Sequence, residues 1–122
     1  MELEHDIAEN PTIFGKILRK EIPAEIVHED IHCLAFKDIQ PVAPHHILII
    51  PKRRIEKLAD VTEEQRTLLG HLLHVAAKIA REQGFAEDGF RVVINNGERA
   101  SQSVFHLHLH LMGGREFGWP PG

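Results

Sequence analysis

Residues 106–110 read His-Leu-His-Leu-His within the segment Ser103-Val104-Phe105-His106-Leu107-His108-Leu109-His110-Leu111. Side chains on an extended strand alternate faces. His106, His108 and His110 therefore share one face, and Phe105, Leu107, Leu109 and Leu111 share the other. Neighbours on one face stand about 7 Å apart, a span that a phosphate and its leaving group fill. Three uses of such a face compete. It is a solvent face rich in histidine by chance; or a metal site, since imidazole is the commonest metal ligand; or a surface for nucleophilic and acid–base chemistry on phosphorus, because neutral imidazole is a nucleophile near pH 7 and a neighbour can hold a proton. Strict alternation with large aliphatics argues against chance. The lack of cysteine and carboxylate around the strand weighs against a metal, but spacing alone does not separate the last two.

Other residues belong with this strand. Gln102 and Ser103 precede it, Asn95 ends the strand before, and His46 opens a third strand from which it can buttress the histidines. Asp38 follows a strand, where it accepts from ribose hydroxyls or merely shapes the turn before Pro41. His71 and His74, three apart on a helix, read as a polar or half-buried helix face. His5, His28, His32 and His45 form no pattern.

These groups must be held by a scaffold, and the pattern supplies one. Thr12 caps a short helix through Phe14, Ile17 and Leu18 that ends before Ile22-Pro23. Residues 25–29 and 32–37 read as a hairpin around Asp30. His46 to Pro51 is an apolar, β-branched run, hence a buried strand. Thr62 and Gln65 form a capping box for a helix reaching about Gln83; Leu68, Leu69, Leu72, Ala76, Ile79 and Ala80 make its apolar face, and Gly84 is its C-terminal cap. Phe90–Asn95 and Val104–Met112 are two more strands, joined by a polar loop over 96–102. Strands clustered rather than alternating with helices imply an α+β fold: a five-stranded antiparallel sheet with one long and one short helix. Residues 1–11, polar and acidic, read as a flexible leader, and 12–122 as a single domain.

Composition sets the bounds. A chain of 122 residues supports one compact domain with a modest core, so a second copy is an expected source of further burial. The formal charge of −4 comes with no basic cluster, which argues against nucleic acid. No apolar stretch is long enough for a membrane, and no secretory signal opens the chain. The single cysteine, Cys33, sits in an apolar run as a small buried hydrophobe and forms no internal disulfide; a cytoplasmic protein is the expectation.

His106-Leu107-His108-Leu109-His110-Leu111 resembles the motif of the histidine-triad (HIT) family. Thr12-Ile13-Phe14-Gly15-Lys16-Ile17 is similar to the family's first helix, and Phe36-Lys37-Asp38-Ile39-Gln40-Pro41 with Pro44-His45-His46 to its ribose loop and next strand. Gly113-Gly114-Arg115 and Trp119-Pro120-Pro121-Gly122 resemble the C-terminus of its nucleotide-binding (Hint) branch. The resemblance runs from Thr12 to Gly122. It implies a homodimer with a sheet continuous across both subunits, and purine nucleoside phosphoramidase activity on AMP-amines through a nucleotidyl-histidine, without cofactor or metal. The alternative is a nucleotide-binding module with little turnover. By resemblance His108 is the nucleophile, and His110 contacts the phosphate and leaving-group side. His106 supports the nucleophile through its carbonyl, and His46 extends the network. Asp38 and Ile39 hold the ribose; Asn95, Gln102 and Ser103 meet the phosphate side; Ile13, Phe14, Ile17, Ile22, Phe36 and Leu48 line the base pocket. Either Ser103 or His110 protonates the leaving group. One departure stands out: Ala100-Ser101 replaces the family's usual glycine pair before Gln102.

Overall fold

The computed structural model describes residues 2–122. The elements in chain order are α1 (Glu2–Glu9), α2 (Ile13–Leu18), β1 (Ile26–Glu29), β2 (Cys33–Lys37), β3 (His45–Pro51), α3 (Arg66–Glu82), β4 (Phe90–Val93) and β5 (Leu109–Gly113), with short 3-10 turns between them. The five strands form one antiparallel sheet in the order β1-β2-β3-β5-β4. The expected α+β architecture is present.

The sheet is covered on both faces, which explains why β3 is an unbroken apolar run. Cys33, Ala35, Ile47, Ile49, Leu109 and Leu111 turn to one face and pack against Leu72, Val75, Ala76, Ile79 and Ala80 of α3. Those five positions follow helical spacing, so one stripe of α3 is buried. The alternate residues Leu34, Phe36, Leu48 and Ile50 pack with Phe14 of α2 on the other face. α3 begins as expected: Thr62 and Gln65 form the capping box over a 3-10 turn. It ends at Gly84, whose φ of +84° is the left-handed conformation that glycine adopts without strain.

Two expectations need correction. Within the stretch 1–11 expected as a flexible leader, residues 2–9 form a helix. Glu2 and Glu4 lie in its first turn, where the helix dipole favours negative charge. Distant residues hold its end: the Arg19 guanidinium donates to the carbonyls of Ile7 at 2.9 Å and Asn10 at 2.8 Å, and the Asp6 carboxylate accepts from the Arg54 backbone at 2.7 Å. None of these partners is local in sequence. The second correction concerns the last strand, expected over 104–112. Its ladder starts only at Leu109, opposite Ile49. Beyond Ile49, β3 gives no partner on this side, and the Leu107 amide donates instead to the Ile55 carbonyl. Phe105, assigned to the apolar face, is exposed, while Leu107 remains in the core.

Candidate active site

The histidine face meets α2 rather than solvent. Phe14 stands edge-on to His106 and His108, with ring centroids 5.7 and 5.0 Å away. His106 is fully buried, His108 and His46 nearly so, and His110 is half-buried.

Hydrogen-bond geometry fixes the tautomer of each neutral ring. The Asn10 Oδ1 accepts from the backbone N–H and the hydroxyl of Thr12, so the other end of that amide is the NH2. This NH2 donates to His106 Nδ1 at 3.0 Å. The His106 hydrogen therefore sits on Nε2, which donates to the Pro51 carbonyl at 2.8 Å. His108 Nδ1 lies 2.7 Å from the His106 carbonyl, an acceptor only, so Nδ1 carries the hydrogen. Nε2 of His108 is left with a free lone pair. On the neighbouring strand the Val42 N–H donates to His46 Nδ1 at 3.1 Å, which puts the His46 hydrogen on Nε2. That Nε2 donates to His110 Nδ1 at 2.9 Å. His110 Nε2 is consequently a donor. The face thus pairs one lone pair, on His108, with one N–H, on His110.

The electrostatics favour those neutral rings. Burial pushes His106 down to about 4, against the pull of the Pro51 carbonyl. Burial, then the neighbouring His108 and His46, pushes His110 down to about 4. Burial lowers His108 too, although the His106 carbonyl and Asp38 oppose it, and lowers His46 against Asp38. Removing an ionisable ring from water disfavours its cation.

A cleft of about 370 Å³ opens over this face. It brings together most of the residues singled out in the sequence: Ile13, Phe14, Ile17, Ile22, Phe36 and Leu48 as an apolar half, and Asp38, Ile39, His46, Ser103, His108 and His110 as a polar half. Ile39 is 88% exposed at the rim. Asp38 accepts from the Gln40 N–H at 2.8 Å and lies 3.4 Å from His46 Nε2. Three expected residues are not part of the lining. His106 acts on the cleft only through its carbonyl. Asn95 lies outside it, half-buried just after β4. Gln102 is buried and fully engaged: it accepts from the Gly97 N–H and donates to the carbonyls of Glu56 and Val104. It braces the loop over 97–104, so its side chain is not free to meet a phosphate.

Asn10 is the residue that sequence reasoning missed. It is only 2% exposed and orients His106 from 96 positions away. Gly15 makes room for it, because a Cβ there would stand 2.4 Å from the Asn10 carbonyl oxygen. A buried asparagine in an acidic leader carries no local signal. Ser101 has a left-handed φ of +66°, the conformation that the family's usual glycine adopts without strain.

Among the described residues two groups have donor atoms close enough to share a metal ion: Asp38, His46 and His110 in the cleft, and His28, Asp30 and Cys33 outside it. Among the described residues no helix is long and apolar enough to cross a membrane.

The profile of the HIT domain matches residues 19–117. A HIT-like protein of Synechocystis is 58% identical over 111 residues, covering 91% of this chain and 96% of the relative. A protein of Zea mays described as a 14 kDa zinc-binding protein is 53% identical over 116 residues, covering 93% and 90%. Among solved structures, a HIT family hydrolase from Legionella pneumophila superposes with a TM-score of 0.88 at 48% identity, covering 90% of this chain and 98% of that one. A histidine triad protein from Clostridium difficile gives 0.83 at 43% identity, covering 87% and 92%.

Proposed function

The chain belongs to the HIT domain family, and on that premise we propose that it hydrolyses purine nucleoside 5'-phosphoramidates, of the Hint branch type, through a nucleotide bound covalently to His108. One observation carries the reading: the His106 carbonyl holds His108 Nδ1–H at 2.7 Å, which leaves Nε2 unprotonated beside the cleft. A hydrolase of the same fold at 48% identity is consistent with chemistry at this face.

The apolar half of the cleft takes the purine, which buries the edge of exposed Ile39. Asp38 accepts from the ribose hydroxyls. His108 Nε2 attacks the α-phosphorus as the P–N bond breaks. His110 Nε2–H donates to a phosphoryl oxygen, and donors aimed at developing charge commonly contribute several kcal/mol. The departing amine takes a proton through the Ser103 hydroxyl, which lines the cleft and is replenished from water. The positive charge on the nucleotidyl-imidazole rests against the His106 carbonyl. Water then attacks phosphorus, the P–Nε2 bond breaks, and AMP leaves with neutral His108 restored. Gln102 and Asn95 play no direct part in this path.

We further place the enzyme in the cytoplasm as a homodimer. The outer edge of β4 ends the sheet, and Phe90 on β4, Leu73 on α3 and Trp119 are large exposed apolar residues. Such surface is characteristic of interfaces.

Phosphorus stereochemistry tests the covalent path. An adenosine phosphoramidate chiral at phosphorus should be hydrolysed with net retention, through two in-line displacements. Inversion would exclude the intermediate. No release of amine and AMP from any purine phosphoramidate would remove the assignment altogether.

A further inference from the structure

A second histidine cluster lies outside the cleft, against α3. The Asp30 Oδ2 accepts from His28 Nε2 at 2.7 Å, from His71 Nε2 at 2.8 Å and from the Cys33 thiol at 3.4 Å. The Asp30 Oδ1 accepts from the backbone N–H groups of His32 and Cys33, which anchors the carboxylate in the β1–β2 turn. The His32 ring packs edge-on to His71 at 5.4 Å. Sheet irregularity brings His28 here. A bulge in β1 between Ile26 and His28 sets His28 opposite Ala35, whose face packs on α3. Bulges commonly re-aim a side chain in this way. Two elements far apart in sequence therefore bring two imidazoles and a thiol to one carboxylate oxygen, with His71 joining the group through that oxygen.

We propose that His28, Asp30, Cys33 and His71 bind one divalent transition-metal ion of the zinc class. The chemistry of the set selects the ion. Two imidazoles, a sulfur and one carboxylate oxygen suit zinc or cobalt and do not suit magnesium or calcium, which take oxygen ligands. The ligand atoms of His28, Asp30 and Cys33 already lie within 4.8 Å of one another. Metal–ligand bonds of about 2.0–2.3 Å in a tetrahedron set ligand atoms roughly 3.3–3.5 Å apart, so each imidazole nitrogen moves about 0.5 Å away from the Asp30 oxygen, while the sulfur already stands at that spacing. Charge balances as well: one carboxylate and one thiolate neutralise a dication. On binding, the Cys33 thiol loses its proton to solvent and the S–metal bond forms. Each imidazole gives up its Nε2 hydrogen and takes one at Nδ1, so one proton is released per ion. Without metal the thiol is inert, because burial and then Asp30 push it up to about 12. Bound metal pins the β1–β2 hairpin to α3 and stabilises the fold by mass action. This site does not depend on the phosphoramidase reading.

Cobalt(II) is the probe, since a thiolate ligand gives a near-ultraviolet charge-transfer band and a tetrahedral ion gives intense visible bands. Titration of chelator-treated, full-length protein should saturate the thiolate band at one equivalent and release one proton. Cys33→Ser should abolish the band. His28→Gln and His71→Gln alter partly exposed side chains and should each weaken binding by roughly tenfold or more. His46→Gln, in the cleft, should leave the band intact. Absence of a thiolate band overturns the proposal, as does a band indifferent to both His28→Gln and His71→Gln, or binding lost in His46→Gln.

Discussion

The two histidine clusters use the same side chains in opposite environments. At the cleft, four imidazoles are bonded to carbonyls, an amide and each other, and burial holds them neutral. Beside α3, two imidazoles converge on a carboxylate instead. There, burial acts against the ionised Asp30, but hydrogen bonds from His28, His71 and the turn backbone outweigh it and hold the acid well below the ordinary carboxylate range. The first arrangement makes bases and directs a lone pair. The second makes a charged hub. Residue type supplies the ring; its neighbours decide whether it behaves as nucleophile, donor or ligand.

The comparison breaks first at His108. His108→Ala removes the lone pair while Phe14 and His106 still support the face, so kcat/KM should fall by roughly 10⁴-fold or more with the circular dichroism spectrum unchanged. A folded variant with near-normal turnover would end the nucleophile assignment.

Next comes the residue that sets the ring order. Asn10→Ala leaves His106 Nδ1 without its donor inside the protein, at a cost of about 1–3 kcal/mol in stability. It should also lower kcat more than it raises KM, because the His106 carbonyl orients His108. Nitrogen NMR of the imidazoles should show His106 no longer held as the Nε2–H tautomer. Loss of stability with an unchanged kcat and an unchanged tautomer would show that Asn10 only fills space.

The two clusters should also separate in pH. His106 is held near 4 when folded and titrates near 6.5 when unfolded, so the unfolded chain binds more protons between those values. Stability from this face is complete above about pH 6.5 and is lost as pH falls towards 4, by roughly 3 kcal/mol. Asp30, depressed when folded, contributes stability above its unfolded value near 3.9, lost only in stronger acid. Urea midpoints across pH should therefore show two windows. Asp30→Asn should flatten the lower window and spare the upper one; loss of the upper window instead would contradict the assignment. Activity should share the upper logic: His108, lowered by burial, stays nucleophilic below pH 6.5, and kcat/KM falls once it protonates.

The smallest effect is at Ser101. Ser101→Gly relieves a left-handed serine and should raise stability by about 0.5–1 kcal/mol in thermal or urea unfolding, with little change in kcat. A destabilised variant would mean that the Ser101 side chain makes up for its backbone strain.

Much of this was legible in the chain. Period-two alternation marked the histidine face, helical spacing and the Thr62–Gln65 box marked α3, and an unbroken apolar run marked β3 as a buried strand. Local patterns of this kind survive because covalent geometry alone sets the periods of strand and helix. The family motif then singled out His108, His110, Asp38 and the apolar half of the cleft, all of which the fold brings together. Tertiary structure decided the rest. Arg19 and Arg54 anchor the α1 helix from elsewhere in the chain. Asn10 reaches His106 across 96 residues, and Gln102 was diverted from the cleft to brace a loop. His28 looked patternless and His71 read only as part of a polar helix face, until a one-residue bulge and a packed helix aimed them at Asp30. Hydrogen bonds between distant groups depend on where the folded chain returns, and no local period records that return.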